Sequence, residues 1–408
     1  MRGRVYAARR PGAELSAAIE ARGASYPLGG SYAPEYRPVV DAFVENFQVE
    51  DEVGAACSIT LDGAAVVDIW GGWRDGARRL PWDGPTTVCM MSVAKGITGI
   101  CFNMLIDRGL VDADAYVVEY WPEYGQNGKE KTRVRHILDH TAAVPVLTTD
   151  PLWPGAMFDR EAIVRALEVQ EPLWEIGTKA AYHVHHQGFL LGEIMRRVTG
   201  RTVGPFLREE VAAPLGAEYY IGGMTEVEQA TVAEVMPNMD AALFAAKDGA
   251  DRTSLKALAF RQNPNEPWAV TMNRPEWRTV EVASGSGHGN ARGVARIYGA
   301  LGSGSLDGVS LMSRNQIEAM ITEQHNQTEA LQDRPYHQAL GVLLNTPEAV
   351  YMGPNRRSFG HHGIGGSIGF CDPDARVGFS YACNKMHAVG TNGPRAARLI
   401  DAFYACEL

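Results

Sequence analysis

Strand texture lies near both ends of this 408-residue chain and helical texture between them, an order that constrains the fold more than any other feature. Near the start, GAACSITLDGAAVVDIWGGW (54–73) reads as two β-rich runs joined by Asp62-Gly63. That dipeptide signals a two-residue hairpin, because a type I′ turn needs positive φ at both central positions. After Tyr336 strand texture returns in HQALGVLLN, RSFGHHG, GSIGFCD and RVGFSYACN, with the turn DPDA separating the last two. The simplest packing is one antiparallel sheet built from both chain ends, flanked by helices, with a mainly helical region inserted. The expected class is α/β of the α+β type.

Between the ends, Val39, Val40, Phe43, Val44 and Phe47 repeat at helical spacing. A helix beginning at Ser92 carries the stripe Ile97, Ile100, Cys101, Met104 and Leu105 and stops near Gly109. TRVRHILDHTAAV and YHVHHQGFLLGEIMRRVTG read as two more helices, whereas Glu226 to Arg278 shows only weak periodicity. GNARGVARIYGAL reads as a helix capped by Asn290, with Val294, Tyr298 and Leu301 on one face. GPRAARLIDAFYA closes the chain as a helix with Pro394 near its first position. The first thirty or so residues, basic and Ala-rich, read as an arm ending in the loop YPLGGSYAPEY. The expected organisation is an arm over 1–35, a sheet domain over 36–85 and 286–408, and a helical region over 86–285.

Composition removes several functional classes. With 38 Lys and Arg against 48 Asp and Glu the net charge is −10, which argues against nucleic acid or an anionic membrane as partner. The six cysteines form no C-x-x-C pair and sit mostly in apolar runs, as small buried hydrophobes do. The basic N-terminus lacks the apolar stretch of a secretory signal, and no apolar run approaches the roughly 18 residues of a membrane span. The expectation is a cytoplasmic protein; homo-oligomerisation stays open.

MSVAKGITGI places Ser92 three positions before Lys95 at a helix start. Such spacing puts both side chains on one helix face. A serine hydroxyl is a poor nucleophile until its proton is taken, and a lysine takes it only when burial or a nearby cation depresses its pKa. A helix N-terminus adds backbone N–H groups facing developing negative charge. These ten residues alone fit equally well an N-cap serine beside a surface lysine.

The wider set decides between them. SVAK, then NGKEKTRVRHILDHTAAVP, then GTKAAYH followed by LLGEIMRRVTG, then FGHHGIGG resembles the ordered motifs of the serine β-lactamase and penicillin-binding-protein superfamily. The similarity is closest to the class C β-lactamase-like esterases, the family VIII carboxylesterases, and runs from about Gly54 onward. It implies Ser92 as nucleophile, Lys95 as its proton partner and Tyr182 as second member of the base system. It further implies an oxyanion hole from the N–H groups of Ser92 and Ile364, with His361-His362-Gly363 as the third motif beside the substrate. The implied activity is hydrolysis of short-chain acyl or aryl esters through an acyl-Ser92 intermediate, with no cofactor and no metal. Acyl transfer, amide or β-lactam cleavage at the same site, or a catalytically inactive binding relative, are the alternatives. Two departures from the β-lactamase pattern bear on substrate: Tyr182-His183-Val184 lacks the amide of Y-x-N, and His361-His362-Gly363 lacks the cation of K-T-G.

Two other constellations are weaker. Gly365-Gly366-Ser367-Ile368-Gly369 matches G-x-S-x-G, but the surroundings read strand–turn–strand, not the strand–turn–helix of a nucleophile elbow. His183 and His186 share a face if both are helical, without a nearby Asp or Glu to complete a ligand set. His288 falls in a loop that can border the site, and His136 and His140 fit helix positions.

Overall fold

The computed structural model describes residues 12–148, 155–237, 254–260, 268–387 and 391–406. Its strands, in chain order, are β1 Ala13–Ala21, β2 Ala24–Tyr32, β3 Gly54–Leu61, β4 Ala64–Gly72, β5 Val88–Met91, β6 Tyr219–Ile221 and β7 Gly287–Gly289. They continue with β8 His325–Glu329, β9 Arg334–Gln338, β10 Leu343–Leu344, β11 Phe359–His362, β12 Ile368–Asp372 and β13 Val377–Cys383. Ten of them form one antiparallel sheet in the order β1-β2-β4-β3-β13-β12-β11-β10-β9-β8. The two chain ends meet where β3 pairs with β13, from Leu61 opposite Val377 to Ala55 opposite Cys383. The β3–β4 turn has φ of 52° at Asp62 and 77° at Gly63, as the type I′ reading requires.

The expected N-terminal arm is, from Ala13 onward, a strand pair that widens the sheet. β1 and β2 pair through the turn Arg22-Gly23 (φ 51° and 74°), and β2 lies against β4. The glycines that read as a loop make this approach feasible: a Cβ on Gly30 would stand 2.2 Å from the Asp68 carbonyl oxygen. Alternation does the rest, burying Ile19, Ala21, Tyr26 and Leu28 beneath helix Arg37–Val49.

Side chains alternate across β13, so Val377, Phe379 and Tyr381 join one apolar cluster with helices Arg37–Val49 and Gly393–Tyr404. Burying each large side chain there contributes about 1.5–3 kcal/mol. On the opposite face, Gly378 lets helix Ala291–Ser303 close in, its Cβ position lying 2.3 Å from the Ala295 carbonyl oxygen. Asn290 caps that helix by accepting from Gly293 N–H at 2.8 Å. Helix Val93–Asp107 belongs to the same second cluster and is buried on every side from Val93 to Leu105, not along one stripe only.

Two helices are shorter than their periodicity suggests. TRVRHILDHTAAV is helical only over Val134–Leu138, and the helix expected from Tyr182 starts at His186. Within the weakly periodic stretch the chain forms Glu226–Gln229, Leu255–Ala259, Trp268–Asn273 and Pro275–Thr279, all brief. Among the described residues no helix is long and apolar enough to cross a membrane.

Candidate active site

β5 pairs with β7, and β7 with β6, as a small separate sheet whose first strand delivers the chain to Ser92. The delivery is strained. Met91 sits at φ 52°, a left-handed conformation that costs a side-chain-bearing residue about 1–3 kcal/mol. The bend turns strand into helix in one step and sets Ser92 at the helix N-terminus, yet the Ser92 side chain makes no capping hydrogen bond. Its Oγ instead lies 3.4 Å from Lys95 Nζ and is hydrogen-bonded to the Tyr182 side chain.

Lys95 is no surface residue; it is 1% exposed. Nζ donates to the carbonyl oxygens of Val184 at 2.6 Å and Ser284 at 2.8 Å. Burial pushes its pKa well below the ordinary lysine value. A neutral amine has two N–H donors and one lone pair, so the two carbonyls take the protons and leave the lone pair toward Ser92 Oγ. Ser284 is itself fixed, its Oγ donating to the His185 carbonyl at 2.6 Å.

Tyr182 arrives on an extended segment stitched to the β8–β9 hairpin. Tyr182 N–H donates to Glu329 Oε2 at 3.1 Å, and Ala330 N–H donates to the Ala180 carbonyl at 3.0 Å. Burial raises the Tyr182 phenol above its usual range, with the Ser92 hydrogen bond acting the other way. Its ring face stands 4.5 Å from Lys95 Nζ and stacks on His361 at 6.2 Å between centroids.

His361 ends up beside Tyr182 with Nδ1 bonded to the His362 carbonyl at 2.6 Å, while its buried Nε2 has no partner among the described residues. Burial, then His362 and Lys95, hold its pKa well below the ordinary imidazole value, so the third-motif position carries no charge at neutral pH. Gly363 must be glycine, since a Cβ there would stand 2.1 Å from the Met90 carbonyl oxygen. That contact lays the loop against β5 and brings Ile364 to the cavity that Ser92 and Tyr182 also line, about 490 Å³ of empty space. Val184, Phe260, Gln332 and Arg334 line it too. The last two come from the β8–β9 hairpin and have no signal in any motif.

The remaining candidates fall elsewhere. His183 precedes the helix instead of sharing a face with His186; its Nδ1 bonds the Ala181 carbonyl at 2.7 Å, and its N–H donates to His140 Nδ1 at 3.1 Å. Among the described residues no group of three or more His, Cys, Asp or Glu is placed to hold a metal. His288 lies in β7 opposite Cys89 and Tyr220, outside the cavity lining. Ser367 is buried, accepts from Cys383 N–H at 3.2 Å, and is followed by β12 and β13 rather than a helix.

A buried lysine three positions after a serine at a strand-to-helix bend, with a tyrosine on the serine and a broad antiparallel sheet behind them, defines a hydrolase of the serine β-lactamase fold. The chain belongs to the Beta-lactamase family, whose model matches residues 40–402. It is 32% identical over 370 residues to the esterase/beta-lactamase LipL of Mycobacterium tuberculosis (strain ATCC 25618 / H37Rv), spanning 88% of this chain and 83% of that one. A family VIII carboxylesterase crystal structure matches at 36% identity and a TM-score of 0.84, covering 93% of this chain and 100% of the other. A penicillin-binding-protein homolog from Caulobacter crescentus matches at 34% and the same TM-score, with the same coverage.

Proposed function

We propose that the protein hydrolyses carboxylic esters of small molecules through an acyl-Ser92 intermediate. The observation that carries the reading is the Lys95 amine, buried, bonded to two carbonyls and facing Ser92 Oγ. Ser92 Oγ attacks the ester carbonyl while its proton passes to the Lys95 lone pair. The oxyanion is held by the backbone N–H groups of Ser92 and Ile364. Collapse expels the alkoxide, which takes a proton from the Tyr182 hydroxyl; Lys95 returns its proton to Tyr182. Water then repeats the sequence on the acyl enzyme. The depressed lysine and the raised phenol both favour amine over phenolate as first base.

Esters are favoured over β-lactams because His361 offers no charge to a lactam carboxylate and Val184 no amide to its side chain. An ester needs neither, and its alkoxide leaves more readily than an amine. The name of the family VIII carboxylesterase structure agrees with this choice, whereas LipL is named both esterase and beta-lactamase. The test is mass spectrometry after labelling with a serine-reactive phosphonate. The adduct is expected on Ser92; an adduct on Ser367 would overturn the mechanism.

A further inference from the structure

The ester-hydrolase reading leaves one cavity feature unused. Among the described residues that line the cavity, Arg334 is the only fixed charge. It opens β9, directly across the hairpin from Glu329, and is half-buried. Glu329 is occupied with backbone: it accepts N–H groups from Tyr182 and Leu331 on one oxygen and from Gln332 on the other, at 3.1, 3.0 and 2.6 Å. Arg334 stands near enough to the reacting groups to act electrostatically on both Tyr182 and His361. Next to it, Gln332 Nε2 is buried without a hydrogen-bond partner among the described residues, a donor whose desolvation none of them offsets.

Resting on the ester reading, we infer that the substrate carries a carboxylate, read by the Arg334 guanidinium together with the Gln332 amide. One cation and one neutral N–H donor suit the two oxygens of a monoanion; a phosphate dianion would call for more donors. The cation for a substrate anion thus stands on the β8–β9 hairpin and not at the third-motif position, where His361 is neutral. An anion bound there is anchored by the same hairpin that fixes the Tyr182 backbone, so recognition and proton transfer share one support.

Two pairs of esters test this, each corrected for its own alkaline hydrolysis. p-Nitrophenyl butyrate is compared with mono-p-nitrophenyl glutarate, and phenyl acetate with 4-acetoxybenzoate, placing the carboxylate on the acyl and alcohol arms in turn. The wild-type enzyme is expected to favour the anionic member of at least one pair by about 10- to 100-fold in kcat/KM, as a charge-assisted contact gives. Arg334→Gln should bring that ratio near unity, chiefly through KM, while Arg334→Lys retains part of it. A role of Arg334 confined to Tyr182, or to folding, would slow both members alike and leave the ratio standing. Raising the salt concentration should also lower the wild-type ratio, a reading that needs no variant. Ratios near unity in both wild-type pairs, or an unchanged ratio in Arg334→Gln, overturn the inference while leaving ester hydrolysis intact. Absence of Ser92-dependent turnover on all four esters overturns both.

Discussion

Among the described residues, two lysines are buried against backbone carbonyls and the face of a tyrosine, and they end in different states. Lys129 donates to the carbonyls of Gln126, Glu168 and Gln170 at 3.0, 3.0 and 2.5 Å, with the Tyr124 ring 5.1 Å away. Lys95 donates to two carbonyls and keeps its third direction for Ser92. Burial lowers Lys129 to about 8, against the opposing pull of Glu130, Glu171 and Glu168, so it stays an ammonium at pH 7 with all three protons placed. Among the described residues no carboxylate acts on Lys95, and burial takes it much further down. Three acceptors and nearby carboxylates make a structural clamp, here on the C-terminal end of helix Arg160–Val169. Two acceptors and a hydroxyl leave an amine suited to the base role proposed for Lys95. What separates the two is one hydrogen-bond direction and the local charge.

The comparison breaks most sharply at the hydroxyl. Ser92→Ala should lose at least ~10³-fold in kcat, while Ser367→Ala, outside the cavity, keeps most of it; steady-state ester kinetics decide. Next come Lys95→Ala and Tyr182→Phe, each nearly as damaging as the serine change, with the double variant little worse than either. Lys129→Met supplies the contrast. It should keep kcat and destabilise the fold by about 1–3 kcal/mol, read from the urea midpoint, because buried carbonyls lose their donor. Loss of catalysis without loss of stability there would erase the distinction between the two lysines.

A smaller effect concerns substrate. A p-nitrophenyl ester without a carboxylate should exceed a chromogenic cephalosporin by at least ~10²-fold in kcat/KM. The third-motif position lacks the cation that would orient a lactam, whatever Arg334 contributes from the β8–β9 hairpin, and an amine leaves less readily than a phenoxide. His361→Lys should narrow the gap. The last effects are those of pH, which act gradually across a titration. Activity should fall as pH drops through the depressed Lys95 pKa, since protonation removes the base; a pH–rate profile without this limb would count against Lys95. Stability should follow Lys129 in the same sense. Its folded pKa of about 8 lies below the reference of about 10.4, so the unfolded chain holds its proton more tightly in that window. The lysine's contribution is therefore most favourable above about 10.4 and declines as pH falls to about 8. Lys129→Met should lack that slope in denaturant midpoints taken across the window.

The catalytic candidates were legible because they are side chains at short, ordered spacings: Ser92 and Lys95 on one turn, Tyr182 in its segment, Gly363 before Ile364. The sheet was legible at β3–β4 and β11–β13, where apolar residues follow strong turn signals. The β1–β2 pair was hidden because Arg22-Gly23 is a weak hairpin signal and Gly29-Gly30 reads as loop. What tunes Lys95 was invisible for a different reason. Val184 and Ser284 act through carbonyl oxygens, which every residue possesses, so no residue type marks them. Arg334 and Gln332 reach the cavity only because β9 lies two places from β11 in the sheet, a proximity that chain position does not reveal.

The closure of the sheet between β3 and β13 has a consequence in time. On a ribosome, Ser92, Lys95 and Tyr182 all emerge well before residues 377–383, so β3 waits with an open row of N–H and C=O groups along one edge. Closing so long a loop is entropically costly and comes late, as contacts between distant segments do in slow-folding topologies. Activity should therefore return on refolding as one late event, together with docking of the last strand. Until then the nascent sheet presents a ready template for a second chain, which makes β3 the segment that most needs shielding during synthesis.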